Sequence, residues 1–462
     1  MLIDIQTTPT KETPQSSDKS IVSEPAKVDK KSEFKDVIAK QRKKAAESSK
    51  KNIKVVFKFR GGETNTENLP PEVLELDTQT NSVLFEGRTH RFSQVLGSES
   101  TQFETYQSCK EVIQKVIDGF NGTIFVYGNS GSGKTYTMLG PDSVVEYLSS
   151  QESRDKLIDQ DIEASFGVIL RACAEIFEMI NNSFEKGERI EYKMNVQYFE
   201  IYMEKIFDLV NYTGEGASIK QSKTGEIYLH PMTSREVSSP QDVCEILAIG
   251  QKHKKMSATH INDRSSRSHT IFLLEVIGQR SDGLTKKAKL NLIDLAGSEK
   301  YKNIGSSQSR LKESTNINKS LHHLSNCIKS LSEGQKFVSF RDSKLTHYLK
   351  DTLSGNSNTV LICTGSFQKI NQNHTKMTIA FATRAQMVKT KPVSTTEMSA
   401  SKMLKQIKIL KQENFDLRVI IQEIKNGANS EEVLRKYSMQ DDQNIDEQDS
   451  SFVDDSHLDI NM

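Results

Sequence analysis

No two of the five cysteines stand close enough to form a CxxC pair: Cys109, Cys173, Cys244, Cys327 and Cys363 are scattered singly along 462 residues. That spacing argues against a disulfide framework and against a thiolate zinc site. An odd, dispersed set fits reduced thiols in a cytosolic protein. No stretch approaches the ~20 apolar residues needed to cross a bilayer. The first residues, MLIDIQTTPTKETPQ, lack a basic segment followed by an apolar run, so they do not read as a signal peptide. There is no internal repeat. Neither sign of charge dominates, with 62 Lys and Arg against 61 Asp and Glu for a net +1. The total therefore points to neither nucleic acid nor membrane, and neither is expected as a partner. The expectation is a soluble, cytoplasmic protein.

The charge that is present is unevenly placed. Residues 27–51 are basic, while beyond Lys436 there is no Lys or Arg and aspartates accumulate. Both blocks read first as solvated tails. A hydrophobic content of 35%, a charged content of 27% and a mean hydropathy of -0.56 place part of the length outside any core. Residues 1–52 and 427–462 are accordingly expected to be disordered, the first basic and the second acidic. Order is expected from Ile53, where IKVVFKF reads as a buried strand. Further strand-like runs lie at 123–128, 193–202, 269–278, 289–297 and 359–366. Helix-like stretches fall at 104–120, 167–180, 239–253 and 311–331, and a polar excursion at 141–165. Strands alternating with helices of this length predict a layered α/β fold: a mixed, mostly parallel sheet with helices on both faces.

The strand TIFVYG runs directly into Gly128-Asn129-Ser130-Gly131-Ser132-Gly133-Lys134-Thr135, a GxxxxGK[ST] pattern. Glycines let backbone N–H groups wrap a phosphate, and the following helix N-terminus adds partial positive charge. Lys134 is suited to the β- and γ-phosphates and the Thr135 hydroxyl to Mg²⁺. A P-loop also needs an acid on a second strand, and KLNLIDLAGSE supplies Asp294, with Gly297 and Glu299 beyond it. Taken alone, such an Asp could be a structural cap; beside a P-loop it reads as the acid for the metal. The polar stretch Asn262-Asp263-Arg264-Ser265-Ser266-Arg267-Ser268-His269 directly precedes a strand and reads as a γ-phosphate sensor beside the other two. A GTPase would carry an NKxD guanine reader, and Asn318-Lys319-Ser320-Leu321 lacks the Asp.

YGNSGSGKTYTM, NDRSSRSH and DLAGSE, in that order, resemble the P-loop, switch I and switch II of the kinesin superfamily, and the resemblance runs over about residues 53–389. FEIYMEKIFDLV (199–210), LKESTNINKSLHHL (311–324) and RDSKLT (341–346) extend it. The resemblance implies the P-loop NTPase kinesin motor fold over 53–384, with ATP and Mg²⁺ as ligands and microtubules as partner. It places the chain in the cytoplasm on the microtubule cytoskeleton. It implies that Ser266 joins Thr135 in the Mg²⁺ shell, with Asp294 acting through water, while Ser265 holds the attacking water. Arg267 and Glu299 would form an ion pair latching the switches, and the Gly297 N–H would serve the γ-phosphate. Tyr136 matches the ring that covers the adenine, with Lys58 standing where an Arg is usual and Gly61 where a Pro is usual. The helix after switch II would face tubulin through Lys300, Lys302, Arg310, Lys312, Lys319, Lys329, Lys336, Arg341 and Lys344. His347 replaces a usual Arg there, and Gln372 and His374 replace acids common at those positions.

Residues 385–398 occupy the neck-linker position. Met403, Ile407, Leu410, Asn414, Leu417, Ile421 and Ile424 then follow a 4-3 spacing. That spacing is a short coiled coil over 399–426 or an amphipathic helix lying on the motor, and a weak homodimer through 403–424 is predicted. A motor followed by its neck resembles the plus-end-directed kinesins. The alternative function is a nucleotide-regulated microtubule binder that does not walk.

Overall fold

Every residue of the strand Gly122–Gly128 is buried, and its side chains alternate between two cores as a two-residue pleat requires. Ile124 and Val126 join one hydrophobic cluster; Phe125 and Tyr127 join the other. The strands beside it alternate in the same way, Val360 and Ile362 against Leu361 and Cys363. A sheet apolar on both faces must be covered on both by helices. This is the α/β arrangement expected from the sequence.

The computed structural model describes residues 51–60, 68–141, 143–144, 147, 163–185, 190–223, 225–258, 266–281, 283–299, 308–398, 400–427 and 429. Residues 1–50 of the expected N-terminal extension (1–52), most of the 141–165 excursion, and residue 428 and residues 430–462 of the expected acidic tail (427–462) lie outside them. The strands that matter are β1 (Lys51–Asn52), β2 (Lys54–Arg60), β3 (Gln94–Leu96), β4 (Gly122–Gly128), β5 (Ile190–Tyr202), β6 (Arg235–Val237), β7 (His269–Arg280), β8 (Leu284–Asp294), β9 (Asn358–Ser366), β10 (Lys389–Thr390) and β11 (Thr396–Met398). The main sheet runs β6-β5-β7-β8-β4-β9-β2-β3. From β8 to β3 the pairing is parallel; from β6 to β8 it is antiparallel. Lys51 and Asn52, which precede the first expected strand residue Ile53, are already strand: they pair with Thr390 and Lys389 of the segment expected as neck linker.

The helices are α1 (Gln102–Gln107), α2 (Lys110–Gln114), α3 (Lys134–Met138), α4 (Val168–Glu185), α5 (Pro240–Ala258), α6 (Gln308–Ser332), α7 (Lys344–Tyr348), α8 (Gln372–Ala385) and α9 (Ala400–Lys425). Buried residues of α2, α4 and α5 (Ile113, Ile176, Leu247) belong to one core, and those of α6, α7 and α8 (Leu324, Leu345, Phe381) to the other. The single helix expected over 104–120 is two. Thr101 and Glu104 cap the first with a capping box, and at its end the Ser108 N–H bonds to Glu104 O and the Cys109 N–H to Tyr106 O. Ser108 Oγ also donates to Thr105 O at 2.5 Å, a local side-chain bond of the kind that competes with helix propagation.

Candidate nucleotide site

The phosphate loop leaves β4 between that strand's neighbours. A Cβ on Gly128 would lie 2.2 Å from Thr364 Oγ1 on β9, so no side chain fits where the loop departs. Gly131 and Gly133 take φ of 76° and 98°, left-handed values that glycine adopts without steric cost. The loop is closed on itself: Ser132 Oγ donates to Asn129 O at 2.6 Å, and Lys134 Nζ donates to the same oxygen at 2.9 Å. Asn129 and Ser132 are each 3% exposed, so their side chains hold the loop. Arg60, Ser130, Gly131, Gly133, Lys134, Thr135, Tyr136, Ser266 and Leu295 line the pocket of about 240 Å³ that the loop encloses. Burial lowers the Lys134 ammonium pKa, and the Asp294 and Glu299 carboxylates oppose that shift. Anionic phosphate would complete the set of charges around it.

Parallel pairing puts Asp294, the last residue of β8, beside Val126, so the acid reaches the first turn of α3. Thr135 Oγ1 donates to Asp294 Oδ2 at 2.6 Å, while Asp294 Oδ1 is buried with no hydrogen-bond partner. A hydroxyl and an orphaned carboxylate oxygen are hard donors of the kind magnesium takes, directly or through water. Thr135, Asp294 and Ser266 therefore fit the ion, which would supply charge to the β- and γ-phosphate oxygens.

The two segments expected as switch I and switch II converge here. The Gly297 N–H donates to Ser266 O at 2.8 Å, so the N–H expected at a γ-phosphate joins the segment after β8 to the one before β7. A Cβ on Gly297 would lie 2.4 Å from Ser130 Oγ, which explains glycine at that position. Glu299 reaches the loop: its Oε2 accepts the Ser130 N–H at 2.8 Å and its Oε1 the Ser130 hydroxyl at 2.5 Å. Arg267 is half-buried beside Ser266, and Ser265 lies outside the described residues. His269 links the two segments, a role the motif did not suggest. Its Nδ1 accepts the Ala296 N–H at 3.0 Å, and its Nε2 lies 2.8 Å from Ser320 Oγ on α6. Burial, with Lys134 adding to it, lowers its pKa to about 3, so the ring is neutral and Nε2–H is the donor.

On the base side, Lys58 Nζ donates to Thr105 Oγ1 at 2.9 Å and lies 5.5 Å from the Tyr136 ring centroid. Tyr136 is 46% exposed, an open aromatic face. Arg60, which sequence reasoning passed over, donates from Nη1 to Gly131 O at 2.5 Å; its place two residues after Lys58 on the same strand face is the signal that could have found it.

Of the expected tubulin-facing residues, Lys319, Lys329, Lys336 and Arg341 are exposed and Lys344 and His347 are half-buried. Lys300 and Lys302 lie outside the described residues, as do the side chains of Arg310 and Lys312 within α6. Burial lowers the His347 pKa, with Arg341, Lys344 and Lys350 adding to the effect. The segment expected as neck linker lies along the sheet. After β10, the Lys391 N–H donates to Gly355 O, the Val393 N–H to Asn356 Oδ1 and the Thr395 N–H to Gly119 O. β11 then pairs with β8. Met403, Ile407, Leu410, Leu417, Ile421 and Ile424 of α9 are between 37% and 56% exposed, Ile424 least. Their apolar stripe is therefore not packed on the motor.

A family model described as the kinesin motor domain matches residues 16–388. The rat kinesin-1 heavy chain is 34% identical over 386 residues, 83% of this chain and 38% of that protein. Human kinesin heavy chain isoform 5C is 35% identical over 75% of this chain and 34% of its own length. Kinesin-related protein 5 of Dictyostelium discoideum is also 35% identical, over 75% of this chain and 34% of its own length. This chain thus spans less than two-fifths of these relatives. A solved structure of a fast kinesin superposes with a TM-score of 0.65 at 32% identity, covering 76% of this chain and 95% of that one. With a family model that spans residues 16–388 and relatives matched over most of its length, this chain belongs to the kinesin family.

Proposed function

We propose that the chain is an ATP-dependent microtubule motor, a microtubule-stimulated ATPase that couples hydrolysis to movement of its linker toward the plus end. The observation that carries this reading is the joining of three segments at one pocket: Thr135 bonds Asp294, Gly297 bonds Ser266, and Glu299 bonds Ser130. Phosphoryl transfer to water needs positioning and charge stabilisation above all. Lys134 and the loop N–H groups supply charge. Thr135 and Ser266, with Asp294 through water, would hold Mg²⁺, Ser265 would order the attacking water, and the Arg267–Glu299 pair would latch the switches. Losing the γ-phosphate removes what orders the switches, and that order change drives the linker. The basic residues on α6 and before α7 meet acidic tubulin.

The test is ATP turnover with and without microtubules, together with a gliding assay. The expected result is at least about tenfold stimulation and movement. Turnover indifferent to saturating microtubules would refute the enzyme reading. Stimulation without gliding would leave a nucleotide-regulated binder that does not walk.

A further inference from the structure

Asparagine is among the residues best suited to close a helix N-terminus with its own side chain. Asn371 stands at the N-cap of α8, yet its side chain makes no capping bond. Its Oδ1 instead accepts Nδ2–H of Asn129, the second residue of the phosphate loop, at 3.2 Å. Its own Nδ2 donates to Gln368 Oε1 at 2.9 Å, which fixes the orientation of the amide. Asn129 is 3% exposed, and its backbone oxygen takes both Lys134 Nζ and Ser132 Oγ. The side chain of Asn371 therefore grips the residue around which the loop closes.

A second fastening lies further along the same helix. Tyr127, immediately before the loop, stacks on Phe381 of α8 with ring centroids 4.0 Å apart and planes at 18°. The first turn is held as well, because Glu86 accepts hydrogen bonds from Gln372 and Lys376. At the other end α8 runs into the linker. Val388 O accepts the Ile53 N–H at 3.0 Å, and β10 begins at the next residue.

We propose that Asn371 is a positioning residue that ties the phosphate loop to α8, so that this helix travels with the loop and hands its displacement to the linker. The inference rests on the motor reading and names how nucleotide at the pocket reaches residues 386–398. A 14-residue helix spans about 21 Å at ~1.5 Å per residue and moves as one body. Two discrete attachments at the loop end give it something to follow.

The test is fluorescence transfer between labels at exposed Val393 and Glu215, with ADP and with a non-hydrolysable ATP analogue. All five native cysteines are buried, so labels go to introduced thiols. Asn371→Ser keeps a capping hydroxyl but is too short to reach Asn129. Asn371→Asp keeps an oxygen where Oδ1 stands. Losing this part-buried hydrogen bond, at about 1 kcal/mol, corresponds to about a fivefold fall in the nucleotide-dependent change of the docking equilibrium. That fall is expected for Asn371→Ser, at a melting temperature no lower than wild type, with Asn371→Asp restoring most of the response. An Asn371→Ser response equal to wild type would overturn the inference and leave the motor reading standing. Equal losses in both variants would also overturn it, since the retained oxygen would then carry nothing. A wild-type linker indifferent to nucleotide would overturn the motor reading and the coupling together.

Discussion

Replacing Lys58 by methionine removes a buried positive charge whose cost can be measured. The Lys58 side chain is 8% exposed, with one hydroxyl partner at 2.9 Å and the Tyr136 ring beneath it. Burial lowers its pKa from 10.5 to about 8, and Cys109 and Glu104 only partly oppose the shift. At about 1.36 kcal/mol per pH unit, the folded chain bears about 3 kcal/mol for keeping this ammonium. Below pH 8 both folded and unfolded chains carry the charge, and the full cost applies. Between 8 and 10.5 the folded chain has released its proton while the unfolded chain still binds it, so stability rises with pH. Methionine has no proton to lose and serves as the reference. Urea unfolding without nucleotide should therefore show wild type gaining about 1.4 kcal/mol on Lys58→Met between about pH 7 and pH 9. A difference between the two proteins that does not change with pH would refute the reasoning, because it would mean the ammonium is solvated.

Lys134→Ala is expected to weaken binding of a fluorescent ATP analogue. Glu299→Ala is expected to keep that binding and lose microtubule-stimulated hydrolysis, since Glu299 joins switch II to Ser130 without lining the pocket; equal losses of affinity would contradict this division of roles. His347→Arg should tighten co-sedimentation with microtubules at neutral pH, because burial and its basic neighbours keep the imidazole neutral. Rising salt should erase that gain as exposed charges are screened over ~8–10 Å, and an unchanged affinity would remove His347 from the interface. The exposed stripe of α9 should give a parallel dimer of micromolar or weaker affinity. Asn414 falls at an a position, where a polar pair favours two strands at a cost in stability. Asn414→Ile should strengthen association in analytical ultracentrifugation, and a strict monomer in both forms would exclude the coiled coil.

The fold class and the closed glycine-rich loop between β4 and α3 were legible in the sequence because their signals are local. A glycine-rich loop between a buried strand and a helix carries its geometry in consecutive residues, and the two-residue alternation of β4 and β9 marks a sheet covered on both faces. Sequence also placed Asp294 at a strand end, but only the parallel pairing of β8 with β4 put its carboxylate on Thr135. Other contacts join residues far apart in the chain, and no periodicity encodes them. Glu299 reaches Ser130 across 169 positions, and Asn371 reaches Asn129 across 242. α8 itself escaped notice because its buried face is built largely from Thr375, Thr378, Ala382 and Ala385 beside Ile379 and Phe381, a stripe too polar to read as apolar. The apolar spacing of residues 403–424 was plain, yet spacing alone could not separate a helix lying on the motor from one facing outward. The exposure of Ile407, Leu410 and Leu417 decided that, because burial belongs to the three-dimensional neighbourhood and not to the order of residues.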